Sequence, residues 1–73
     1  MTKSLYSNEH KKIVEQLKKA RKESNLDQRD VAKLLGKTQS FVSKIEAGQR
    51  RIDVVQLKEF ARIYKKELGF FIN

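Results

Sequence analysis

The segment LLGKTQS at 34–40 constrains this chain more than any other, because only Gly36, Lys37 and Thr38 separate two amphipathic runs. Before it, Val31, Ala32 and Leu35 recur at helical spacing; after it, Val42 and Ile45 lie three apart. Glycine ends a helix in the left-handed conformation without a Cβ clash. Threonine at 38 can cap the next helix by accepting from its first-turn amides. The spacing therefore predicts two short helices, about 28–35 and about 39–47, joined by a tight turn.

The other elements follow from the same kind of signal. Ile13, Val14, Leu17 and Ala20, with Lys and Glu between them, predict a first helix over about 8–24, broken by Ser24-Asn25. Asp27 is the expected N-cap of helix two, with Asp30 adding favourable charge in its first turn. Gly48 stops helix three, and Asp53 with Gln56 has the form of a variant capping box. Helix four, about 54–64, is expected to bury Val54, Leu57, Phe60, Ala61 and Tyr64. The tail KKELGFFIN offers one further short turn or helix. Zero proline and three glycines favour helix throughout. A chain of 73 residues has room for one domain. The expected fold is all-α: a compact bundle of four to five short helices, one domain over 1–73, with a short N-terminal tail at 1–7.

Charge narrows the partners. The chain has 17 Lys+Arg against 9 Asp+Glu, a formal net charge of +8, and a pI near 10.0. It therefore favours polyanions, nucleic acid first. No apolar stretch approaches the roughly 18 residues a spanning helix needs, and MTKSLYSNEHKK lacks a signal peptide's apolar core, so no membrane partner and a cytoplasmic location are expected. The absence of cysteine removes disulfides and thiolate chemistry, and the single histidine, His10, leaves no His-based metal site and is expected on the surface of the first helix. Asp27, Asp30 and Asp53 are accounted for as caps or first-turn charges, and no nucleophile pairs with a base. An enzyme, a cofactor and a metal are not expected.

The two helices around Gly36 have the layout of a helix-turn-helix, in which the second helix enters the major groove and the first braces it. Opposite Val42 and Ile45, helix three offers Gln39, Ser40, Ser43 and Lys44. All four form hydrogen bonds and none is acidic. Gln pairs bidentately with adenine, Lys reaches guanine O6 or N7, and serine adapts to base or phosphate. The lysines of helix one, Lys11, Lys12, Lys18, Lys19 and Lys22, read first as a solvated face, with DNA steering as the alternative.

These residues resemble the phage-repressor-like (XRE-type) helix-turn-helix regulators of bacteria and phage. The resemblance rests on Leu17-x-x-x-Arg21, LDQRDVAKLLG at 26–36, TQSFVSKIEAG at 38–48 and RRIDVVQL at 50–57. It implies a lambda-repressor-like domain of five helices that binds double-stranded DNA as a homodimeric transcriptional regulator on a roughly palindromic operator. Position by position, it implies that Gln28 bonds a phosphate, that Gln39, Ser40 and Lys44 read base edges, and that Ser43 meets backbone or base. Arg50 and Arg51 fall where family members hold phosphates. Phe41 falls where a ring can meet a thymine methyl, and Arg21 with Glu46 matches a pair that ties helix one to the recognition helix. The sequence departs from the family at Asp27, where threonine or serine is usual, and at Ala47, where a phosphate contact made in some members is either absent or moved to Gln49.

The apolar C-terminal residues Phe70, Phe71 and Ile72 have two readings. They complete the core as a fifth helix, or they form a homodimer seam with Val55 and Ile63, and both can hold at once. Two other functions stand beside the regulator: the antitoxin of a toxin–antitoxin pair, with an unidentified protein partner, and a helical interaction module that does not bind DNA.

Overall fold

Side chains that accept from the unpaired first-turn amides start the second, third and fourth helices of this protein, and backbone N–H groups close their last carbonyls. The computed structural model describes residues 8–72, and the expected tail at 1–7 lies outside them. Five helices run in order: α1 Asn8–Glu23, α2 Gln28–Leu35, α3 Gln39–Glu46, α4 Val54–Tyr64 and α5 Gly69–Ile72. Asp27 Oδ1 accepts from the Asp30 amide at 2.8 Å and Asp30 Oδ2 from the Asp27 amide at 3.1 Å, closing a reciprocal box. Asp53 and Gln56 do the same for α4, at 2.7 and 3.2 Å. Thr38 Oγ1 accepts from the Phe41 amide at 3.1 Å. Gly36, at φ +71°, closes α2, and Gly48, at φ +76°, follows the C-cap Ala47. No glycine closes α4, which ends on Lys65 in the left-handed conformation at φ +57°.

α2 and α3 pack on each other, and α1 runs against α3, α4 and α5. The shared core takes Leu17 and Ala20 from α1, Val31 and Ala32 from α2, and Val42 and Ile45 from α3. Leu57, Phe60, Ala61 and Tyr64 join from α4, and Phe71 from α5. Fully burying one such large side chain contributes about 1.5–3 kcal/mol, so even this thin core holds the two central helices in one relative position.

Two expectations, for Val54 and His10, are corrected by this packing, and for Phe71 one of its two readings is selected. Val54 is 62% exposed, because the inward stripe of α4 begins at Leu57 and no described element covers the turn before it. Phe71 is wholly enclosed and so belongs to the core instead of an outer seam; its ring meets that of Phe70 edge-on at 5.1 Å. His10 is half-buried, in a shallow cleft it shares with Ala47 and Gly48 beyond the end of α3. The last helix is fastened by Gln16 Nε2 donating to the Phe70 carbonyl at 3.0 Å. Lys66 lies over the Phe70 ring at 4.6 Å and bonds Glu23 at 2.9 Å, which holds the Glu23 carboxyl below its usual range.

Candidate nucleic-acid interface

With Val42 and Ile45 fully enclosed, the outward side of α3 consists of Gln39, Ser40, Ser43 and Lys44, all exposed. On a helix, residues three and four apart are neighbours. Gln39 therefore stands beside Ser43, and Ser40 beside both Ser43 and Lys44, as one continuous polar strip.

The single carboxylate of α3 is kept off that strip. Glu46 is 5% exposed and accepts from Arg21 Nε at 2.8 Å, from Arg21 Nη2 at 3.1 Å and from Gln28 Nε2 at 3.1 Å. Arg21 also donates through Nη1 to the Leu26 carbonyl at 3.0 Å, just before α2. One guanidinium thus ties α1 to the approach of α2 and to the end of α3, and its hydrogen bond to Glu46 raises its already high pKa. The fork geometry is available to arginine and not to lysine. With Glu46 turned inward and ion-paired with Arg21, the exposed face of α3 carries no carboxylate.

Gln28 joins this network by its side chain, and one of the two N–H donors on its amide nitrogen is used by Glu46. The second donor is what that side chain keeps for an anion, because the Asp30 amide at the start of α2 already bonds Asp27. Arg21, Asp27, Gln28, Arg29 and Gln39 line one shallow depression, so the start of α2 and the start of α3 open onto the same surface. The Asp30 backbone N–H, with Arg29 adjacent, holds the Asp27 carboxyl below its usual range. Asp27 is therefore ionised at neutral pH and mildly repels an anion in that depression.

Arg50 and Arg51 are exposed in the loop after α3. Arg50 is folded back over the Phe41 ring, 4.8 Å from its centroid, and Lys37 from the turn before α3 reaches the same ring at 5.4 Å. Phe41 is itself half-buried and packed against the core. Two cations absent from the motif-based reading, Arg29 and Lys37, thus lie on this side of the molecule; their signal in the sequence is position, one beside Gln28 and one just before the cap of α3. Of the residues considered for a dimer seam, Val55 is 66% exposed, whereas Ile63 and Phe70 are half-buried against the core.

A family profile described as helix-turn-helix matches residues 17–71, from the enclosed Leu17 through α5. Comparison with curated proteins gave no match.

Proposed function

The chain belongs to the XRE-like helix-turn-helix family of DNA-binding regulators, and from that premise we propose that it binds a specific double-stranded sequence with α3 in the major groove. The observation that carries this reading is the outward face of α3, four hydrogen-bonding residues from which the one carboxylate has been withdrawn. Gln39, Ser40 and Lys44 select bases, while Gln28, Ser43, Arg50 and Arg51 hold the phosphate backbone. The protein acts in the cytoplasm as a homodimer on a palindromic operator. Its two copies of α3 then lie about 34 Å apart, one DNA turn. The exposed Val54 and Val55 at the start of α4 support an apolar seam between copies.

Selection of bound duplexes from a random pool at fixed salt yields the operator. Against it, Gln39→Ala is expected to lose discrimination at one or two base pairs, at about 1–3 kcal/mol, and to leave random DNA binding unchanged. Arg51→Ala is expected to weaken every sequence alike and to reduce the salt slope by about one. Equal losses on operator and random DNA for Gln39→Ala would overturn the assignment of base reading.

A further inference from the structure

Resting on that DNA-binding reading, we infer that Phe41 is a positioning residue: its ring holds Arg50 and Lys37 ready for the phosphate backbone and reads no base. The two cations come from opposite ends of α3 in the chain, Lys37 from the turn before it and Arg50 from the loop after it, and they converge on one ring at 5.4 and 4.8 Å. The ring is fixed in turn, since Phe41 packs against the core from the first turn of α3. Neither cation is ion-paired with a carboxylate among the described residues.

Two physical consequences follow from this cluster. A guanidinium attracted to a ring through its face keeps its in-plane N–H donors, which are the ones that grip a phosphate. Long cationic side chains also lose rotamer freedom when they settle on a ligand, and a platform that restricts them beforehand lowers that loss. The same occupancy opposes a methyl contact, because Lys37 and Arg50 already lie over the ring that a thymine methyl would need. Phe41 then acts on affinity for all sequences alike.

The test uses two fluorescently labelled probes, a random-sequence duplex pool and the duplex that the wild-type protein enriches from it, titrated over a salt series. Phe41→Leu is expected to weaken both by the same factor, about fivefold, with an unchanged enriched sequence. Phe41→Tyr, which retains the ring, is expected to bind as the wild type does. In an Arg50→Ala background the Phe41→Leu loss should shrink, an outcome that a merely structural role would not produce. Thermal melts accompany each variant, and Phe41→Met repeats the comparison with apolar bulk but no ring. A changed base preference with random-pool affinity intact would overturn the proposal in favour of a methyl contact. An equal loss with and without Arg50 would overturn it in favour of simple packing. Wild-type protein that binds neither probe in a salt-dependent way would instead sink the DNA-binding reading beneath it; steep wild-type binding that Phe41→Leu leaves untouched would sink only the role of Phe41.

Discussion

Glu46 shows what one side chain contributes when it is enclosed and fully bonded. Its carboxylate is held by Arg21 and Gln28, and the Arg21 side chain is only 14% exposed. Removing one member of such a pair leaves the other desolvated, which typically costs about 3–5 kcal/mol, against under about 1 for a surface pair. Glu46→Ala is therefore expected to lower the melting temperature by more than about 10 °C in a domain of this size, and an unchanged melt would refute the bracing role. Tyr64 is the converse case. It is 3% exposed, its ring lies 6.0 Å from that of Phe60, and its hydroxyl has no hydrogen-bond partner among the described residues. A buried hydroxyl without a partner costs about 1–3 kcal/mol, so Tyr64→Phe should stabilise the protein by about 1 kcal/mol at neutral pH, read by chemical denaturation. Burial, and then the nearby Glu46 charge, push the Tyr64 phenol above its ordinary 10.0. The unfolded chain releases that proton from about pH 10 while the folded chain keeps it, so stability is intact below pH 10 and falls as pH rises beyond it. Tyr64→Phe should remove that part of the alkaline loss.

At the scale of elements, caps were legible because a cap is a local event. Asp27, Thr38 and Asp53 are each found bonded to the amide three residues on, as oxygen-bearing side chains before apolar periodicity predict. The reciprocal bond from Asp30 was less visible, since glutamate or glutamine is the usual partner in a box. The end of α4 at Tyr64 falls where the apolar periodicity stops, but the form of its cap was not legible: KKELG has no glycine until position 69, yet Lys65 takes the left-handed conformation at φ +57°. A non-glycine residue there bears a steric cost of about 1 kcal/mol. Lys65→Gly is accordingly expected to raise stability by about 0.5–1 kcal/mol by denaturant titration, and a destabilised variant would mean that the lysine side chain, not the backbone, governs that cap. The strip on α3 was legible for the same reason as the caps, because two enclosed residues three apart fix which way Gln39, Ser40, Ser43 and Lys44 face.

At the scale of the whole molecule, a net charge of +8 on a thin core makes the surface, not the interior, the bearer of partner choice. The start of α2 and the start of α3 open onto one depression, and Arg21 ties α1 to the end of α3 through Glu46. An operator of two half-sites requires a second copy, and the exposed Val54 and Val55 bear on that requirement. Replacing both with serine should change the stability by under about 1 kcal/mol, as expected for uncovered positions. The same change should weaken binding to a two-half-site duplex while sparing a single half-site. Sedimentation that finds one copy at all concentrations, with and without the duplex, would rule the homodimer out.

What the sequence by itself determined is what depends on near neighbours: an all-helical chain, the turn at Gly36, the caps, and the polar outward side of α3. Periodicity carries that information because each residue's direction follows from the few around it. The tertiary structure alone decided matters of long separation. It enclosed Phe71 and left Val54 uncovered, bonded Gln28 to Glu46 across 18 positions, and laid Arg50 over Phe41. An amphipathic pattern says that an apolar side will be covered, but not by which element or how far along; that is fixed only when the helices pack and their side chains compete for the same space.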